Sequence, residues 1–151
     1  MPRSTTRPAM PIRAVLDTNV LISGLISTRA PPRRAIDAWL AGKYVLVTSM
    51  YLVQELVSVL SYPRIEARLH LSDEERDAIL AALLTQAEVT PGHLALSGVT
   101  RDPKDDAVVA CAVEGRADLI ISGDEDLLTL GDYEGIQVVT PAQFVEMLPP
   151  E

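Results

Sequence analysis

The chain has 151 residues, of which 48% are hydrophobic, and a formal net charge of −8. This suits one globular domain with a substantial core and argues against a disordered protein. The single cysteine, Cys111, excludes an internal disulfide framework, and no apolar run approaches the ~20 residues that span a membrane. Residues 1–11 contain three prolines and lack the apolar core of a signal peptide. We therefore predict a cytoplasmic protein without membrane contact, with a flexible leader at 1–11, a folded domain at 12–148 and a tail at 149–151.

The charges are distributed unevenly along the chain. An acidic balance disfavours nucleic acid, because phosphate binding normally needs a basic face. However, residues 1–34 carry six arginines and one acid, whereas residues 102–134 carry ten acids and two basic residues. The acidic region could hold a metal while the basic region contacts phosphate. The alternative is that both regions are ordinary solvated surfaces.

Strand-like and helix-like segments alternate along the chain. Short apolar runs bounded by turn residues predict buried strands at 12–16, 44–48, 88–90, 118–122 and 136–139. Amphipathic or capped segments predict helices at 20–26, 32–42, 50–61 and 73–87, one that follows Pro103 and ends at Gly115, and one that begins at Pro141. This alternation predicts a three-layer α/β/α fold with a central parallel sheet of four to five strands.

Carboxylates follow two of the predicted strands. Asp17 stands directly after the run 12–16, and Asp124 follows the run 118–122. In open α/β sheets the ligand crevice lies outside the carboxyl ends of the strands. Thr18 and Asn19 can cap the next helix, and the alternative for Asp17 is that it only helps this capping.

Two further acidic positions lie on predicted helices. Glu55 falls at the edge of the apolar face of helix 50–61, where a carboxylate is costly unless it is paired or bound to a cation. A solvated glutamate at the boundary is the alternative. Asp102, Asp105 and Asp106 crowd the start of the helix after Pro103, and three acids exceed what helix capping needs. We assign Asp102 to capping and Asp106 to a site.

A shared site would have to hold a cation. If Asp17, Glu55, Asp106 and Asp124 converge to about 5 Å, each like-charged pair costs about 3 kcal/mol at an effective dielectric constant near 20. A cation or a shifted protonation must offset this repulsion. Oxygen ligands without a His or Cys partner favour Mg²⁺ or Mn²⁺, and open acidic sites with such ions serve phosphoryl chemistry.

The four acidic motifs together resemble the PIN domain family. They are Asp17-Thr-Asn, Glu55-Leu, Asp106 before Ala-Val-Val-Ala-Cys-Ala, and Ser122-Gly-Asp-Glu-Asp-Leu-Leu. The similarity covers residues 12–148 and is closest to the VapC-like toxin components of bacterial toxin–antitoxin pairs. It implies a Mg²⁺- or Mn²⁺-dependent ribonuclease with Asp17, Glu55 and Asp106 as catalytic metal ligands. The fourth ligand is Asp124 or Asp126, and Thr18 or Asn19 together with Ser122 would hydrogen-bond the carboxylates.

The resemblance also implies partners. Single-stranded or structured RNA would contact Arg29, Arg33 and Arg34, in and after the loop that follows the Asp17 helix, and Lys104. A homodimer is expected, because residues 62–71 alternate apolar side chains with arginines and suit an interface; a monomer is the alternative. A cognate antitoxin protein would cover the same groove.

Two other functions stay open at this point. One is a non-catalytic PIN-like module that binds RNA or protein. The other is a different Mg²⁺-dependent phosphohydrolase, although position 19 is Asn and a covalent Asp-x-Asp mechanism would lack its second acid.

Overall fold

The computed structural model describes residues 11–150. The predicted leader, apart from Pro11, and Glu151 of the predicted tail lie outside the described residues. Within the described range the chain forms six strands: Arg13–Leu16 (β1), Val45–Ser49 (β2), Glu88–Thr90 (β3), Leu119–Ile121 (β4), Asp132–Tyr133 (β5) and Ile136–Val139 (β6). The same range forms eight helices: Thr18–Ile26 (α1), Pro31–Leu40 (α2), Met50–Leu60 (α3), Pro63–Glu66 (α4), Asp73–Thr85 (α5), Pro103–Glu114 (α6), Glu125–Leu130 (α7) and Pro141–Met147 (α8).

The strands form one sheet in the order β3-β2-β1-β4-β6-β5. All neighbours are parallel except β5, a two-residue strand that pairs antiparallel with β6 and was not predicted. The chain builds outward from β1 through β2 to β3, then returns to place β4 on the other side of β1. The boundary between β1 and β4 is therefore the topological switch point, where ligands bind in sheets of this kind.

Two apolar cores cover the two faces of the sheet, and the alternation of side chains along each strand separates them. Ala14 and Leu16 point into the first core, with side chains of α1, α2, α3, α5 and α8. Val15 points into the second, largely with side chains of α6, including Val109 and Ala112. The three-layer α/β/α fold with a mostly parallel sheet is confirmed. No helix within residues 11–150 is long and apolar enough to cross a membrane.

Local sequence signals mark several helix starts. Ser72 and Glu75 form a capping box at the start of α5, and Thr140 forms another with Gln143 at the start of α8. The short helices α4 and α7 were not predicted. Within the segment 62–71, Ile65, Leu69 and Leu71 pack against the first core, so this linker buries part of its apolar surface within its own chain. Its dimer role stays a prediction.

Candidate metal centre

An acidic pocket opens at the carboxyl edge of the sheet, at the switch point between β1 and β4. Its volume is about 220 Å³. Five carboxyl groups line it, together with two small polar side chains, one valine and one lysine; none of these lining residues is His or Cys. The lining residues, which together define the acidic pocket, are Asp17, Thr18, Asn19, Glu55, Val59, Asp102, Lys104, Asp105 and Asp124.

Asp17 is held at the end of β1 by a neighbouring strand. Asp17 as a whole is only 6% exposed, and Ser122 Oγ donates a hydrogen bond to its Oδ2 at 2.8 Å. Asp17 is the N-cap residue of α1, yet its side chain makes no capping hydrogen bond. Burial raises the pKa of Asp17, the charges of Asp124 and Glu55 add to this rise, and the hydrogen bond from Ser122 opposes it. Capping therefore does not account for this carboxylate.

Ser122 also positions Asp124. Its Oγ accepts a hydrogen bond from the Asp124 amide at 2.9 Å, so one hydroxyl links the acids that follow β1 and β4. Asp124 Oδ1 in turn accepts the Asp126 amide at 2.8 Å at the start of α7. These contacts hold the Asp124 side chain on the rim of the acidic pocket.

The structure brings Asp105, and not Asp106, into the acidic pocket. Asp106 is 4% exposed, but its carboxylate faces the loop before α6. Its Oδ1 accepts the Thr100 amide at 2.7 Å and the Thr100 hydroxyl at 3.0 Å, and its Oδ2 accepts the Gly98 amide at 3.1 Å. The expectation that Asp106 meets the other acids is thus corrected: Asp106 fixes a loop, and its neighbour joins the pocket.

Asp105 is in an unfavourable electrostatic environment. It is 5% exposed, and its Oδ2 is buried without a hydrogen-bond partner. Burial raises the pKa of Asp105 to about 7, and the negative charges of Asp124, Asp17 and Asp102 contribute to the rise, as does a hydrogen bond with Asp124. A buried, ionised carboxylate of this kind is costly without a counter-charge.

Asp124 and Asp126 differ in their relation to the pocket. Asp105, Asp124 and Asp126 each offer an oxygen within 4.8 Å of the others, a spacing that could hold a metal ion. However, Asp126 is not among the residues that line the acidic pocket. Its Oδ1 accepts hydrogen bonds from Arg101 Nη2 at 2.6 Å and Nε at 3.2 Å. Asp124 is therefore the better placed of the two.

Glu55 reaches the acidic pocket from α3 and is paired there. Lys104 Nζ lies 3.6 Å from Glu55 Oε2, and both side chains line the pocket. Asp102 has the capping role expected of it, since its Oδ1 accepts the Lys104 amide at 3.0 Å, and it lines the pocket as well. The start of α6 thus supplies two acids and one base to the same space.

The three arginines expected to contact RNA do not line the acidic pocket. Arg29 is exposed after α1, and Arg33 is paired with Asp37 at 3.1 Å on α2. Arg34 borders a separate cleft beside the end of α8. Two shallower depressions adjoin the acidic pocket at Asn19, and Arg68 lines one of them. Contact of Arg29, Arg33 and Arg34 with RNA stays a prediction.

The donor set fits a hard divalent cation. Asp105 Oδ2 and Thr18 Oγ1 are both buried without a hydrogen-bond partner, and both residues line the acidic pocket. Carboxylate and hydroxyl oxygens are the ligands that Mg²⁺ and Mn²⁺ prefer, and a cation would satisfy the orphaned carboxylate oxygen. The residues that could hold it are Asp17, Asp105 and Asp124, with Glu55 of α3.

The helical spacing of α6 indicates which of its acids faces the sheet. Asp105 lies four and seven residues before Val109 and Ala112, so the three share one face of α6. That face packs on the sheet, because both Val109 and Ala112 are fully buried in the second core. Asp106 is rotated by about 100° from this face, toward the preceding loop.

The fold and the site define the class of protein: it is an α/β protein with a mostly parallel sheet and an acidic pocket at the topological switch point. A model of the family described as PIN domain matches residues 13–126. The chain therefore belongs to the PIN domain family. It is also similar to the uncharacterized protein MJ1680 of Methanocaldococcus jannaschii, with 30% identity over 143 residues that cover 89% of this chain and 90% of the relative.

Proposed function

We propose that this protein is a Mg²⁺- or Mn²⁺-dependent endoribonuclease whose metal ligands are Asp17, Asp105 and Asp124, with Glu55 contributing from α3. PIN domains are generally metal-dependent nucleases, and this chain has the acidic cluster that such an activity needs. The observation that carries the proposal is the buried, unpartnered oxygen of Asp105 among like charges. Lys104, the cation that lines the pocket, pairs with Glu55 at 3.6 Å, so a bound divalent cation would supply the counter-charge that Asp105 needs.

The chain's own residues pre-arrange this site. Asp17 is fixed by Ser122, Asp124 by Ser122 and the first turn of α7, and Asp105 by its position in α6. When bound, a divalent cation would activate water and stabilise negative charge on a phosphodiester. Lys104, which is exposed and paired only loosely with Glu55, would attract the phosphate to the rim of the pocket.

Partners and biological role are part of the same proposal. We propose that the protein acts as a homodimeric toxin under the control of an antitoxin protein. The support is an exposed apolar surface on and after α3, where Met50, Tyr51, Val57 and Tyr62 are each about half exposed. Such a surface suits a second copy or an inhibitory segment. Sedimentation at tens of micromolar should give a dimer, and a species of 16.4 kDa alone would contradict this part.

The activity is tested by cleavage of a fluorescent single-stranded RNA beside the DNA of the same sequence. We expect RNA cleavage in Mg²⁺ or Mn²⁺ that stops on chelation and is lost in Asp17→Asn. Asp77→Asn, which removes an exposed acid of α5, is the matched control and should cleave normally. Cleavage that persists in Asp17→Asn, or an intact RNA with every metal, would contradict the proposal. Equal cleavage of DNA would broaden the substrate class to single-stranded nucleic acid.

A further inference from the structure

Two exposed basic side chains at or just before the start of α6 lie close to the acidic pocket. Lys104 lines the pocket and reaches Glu55 of α3. Arg101, which precedes the N-cap residue Asp102, reaches Asp126 of α7, whose neighbour Asp124 lines the pocket. Two cations that are only three residues apart in sequence therefore lie near the same acidic groups. This arrangement bears on how a chain with a net charge of −8 could bind a polyanion.

The Arg101–Asp126 pair is too exposed to be explained by stability. The Arg101 side chain is 87% exposed, and exposed ion pairs typically contribute between about 0 and 1 kcal/mol. Within residues 11–150 the guanidinium donates only to Asp126 Oδ1, through Nε at 3.2 Å and Nη2 at 2.6 Å. A ligand could therefore engage this guanidinium without breaking a buried network.

Asp126 holds this guanidinium close to the acidic pocket. An oxygen of Asp126 lies within 4.8 Å of oxygens of both Asp105 and Asp124, so the cation it binds is a near neighbour of the proposed metal ligands. Asp126 does not line the pocket itself, and its Oδ1 already accepts two hydrogen bonds. A metal ion at that oxygen would have to displace Arg101.

We propose that Arg101 is a phosphate-binding residue of this site, and that Asp126 positions Arg101 rather than ligating the metal. The first part rests on the proposed ribonuclease function, because it assigns Arg101 to the phosphodiester of the RNA. A guanidinium presents a planar fork that matches two phosphate oxygens, whereas the ammonium of Lys104, which lines the pocket, acts as a point charge. The second part concerns the protein and the metal alone.

The RNA half of the proposal is tested by binding. Fluorescence anisotropy of a short single-stranded RNA in Ca²⁺, which takes similar oxygen ligands to Mg²⁺ and Mn²⁺, gives the dissociation constant as a function of salt concentration. We expect Arg101→Gln to weaken binding by about tenfold and to reduce the salt slope by about one. Arg101→Lys should restore part of the affinity. The control is Arg116→Gln, because Arg116 is exposed just before β4, at the opposite edge of the sheet.

The metal half is tested by melting with and without Mn²⁺. We expect Arg101→Gln and Asp126→Asn to retain the stabilisation by Mn²⁺, and Asp124→Asn to lose most of it. A loss in Asp126→Asn as large as in Asp124→Asn would overturn the assignment of Asp126. An RNA affinity of Arg101→Gln equal to that of Arg116→Gln would overturn the assignment of Arg101. If the unmodified chain cleaves RNA while either result occurs, only this inference fails; if it neither binds nor cleaves RNA, the proposed function fails with it.

Discussion

Replacing Asp105 with Asn should make the metal-free protein more stable, which is unusual for a buried residue. The folded chain buries this carboxyl group among Asp17, Asp102 and Asp124, and this raises its pKa from 3.8 to about 7. Between these two values the folded state binds more protons than the unfolded state. The free energy of unfolding therefore falls as the pH rises from about 4 to about 7, and stays low above that.

The size of the effect follows from the same shift. At pH 8 the rise of the pKa from 3.8 to about 7 lowers the free energy of unfolding by about 4 kcal/mol, since a pKa difference of one corresponds to about 1.36 kcal/mol. Coulomb's law gives a similar magnitude. Oxygens of Asp105 and Asp124 lie within 4.8 Å of each other, and two unit charges at that distance repel by about 3 kcal/mol at an effective dielectric constant of 20. We expect Asp105→Asn to raise the free energy of unfolding at pH 8 by about 2–4 kcal/mol. The gain can fall below the full 4 kcal/mol because Asn still buries a polar group.

The assay is chemical unfolding in EDTA at pH 5 and pH 8, with Asp106→Asn as the neighbouring control. Asp106→Asn should lower the free energy of unfolding by about 1–3 kcal/mol, because the amide nitrogen of Asn would face the N–H donor of Gly98 or Thr100. The gain in Asp105→Asn should be large at pH 8 and small at pH 5. With saturating Mn²⁺ the unmodified chain should recover its stability, and Asp105→Asn should not respond. A destabilised Asp105→Asn, or a stabilised Asp106→Asn, would refute the assignment of Asp105 to the repulsive site.

Three further outcomes are expected. Ser122→Ala removes the hydroxyl that links Asp17 and Asp124, so it should lower stability by about 1 kcal/mol and weaken the Mn²⁺ response in melting; an unchanged response would mean that the link does not position the ligands. Ser72→Ala breaks the capping box of α5 and should cost about 1 kcal/mol in urea unfolding while leaving the Mn²⁺ response intact. Gly115→Ala should be clearly destabilising in the same assay, because an added Cβ would collide with Val47 Cγ1 and approach the Cys111 carbonyl oxygen to 3.1 Å; wild-type stability would show that α6 can shift away.

The sheet and most helices could be predicted because their signals are local. Buried parallel strands appear as short apolar runs, and Ser72 and Pro141 mark helix starts through capping and fixed backbone geometry. The strand β5 and the helix α7 were missed because both are short. The antiparallel pairing of β5 with β6 depends on a turn at Gly135, where φ is +88°, and this turn has no apolar periodicity.

The sequence pattern indicates where the acidic pocket lies, but it does not indicate that Asp105, rather than Asp106, lines the pocket. Asp17 and Asp124 follow strands, so the carboxyl edge of a parallel sheet brings them together whatever the helices do. The choice between Asp105 and Asp106 instead depends on the rotation of α6 about its axis. Only the packing of Val109 and Ala112 on the sheet, and the amides of Gly98 and Thr100 that need an acceptor, decide that rotation. The contact of Arg101 with Asp126 joins the segment before α6 to the first turn of α7 and has no signal in the sequence pattern.

The most direct test of the proposed metal centre is the single-turnover rate of RNA cleavage in Mn²⁺ for Asp105→Asn and Asp106→Asn, both confirmed to be folded by circular dichroism. We predict that Asp105→Asn loses at least about a hundredfold in rate, because a metal ligand that supports transition-state stabilisation is gone. Asp106→Asn should stay within about tenfold of the unmodified chain, because its carboxylate only holds the 98–100 loop. An inactive Asp106→Asn beside an active Asp105→Asn would contradict the assignment of Asp105 as the metal ligand.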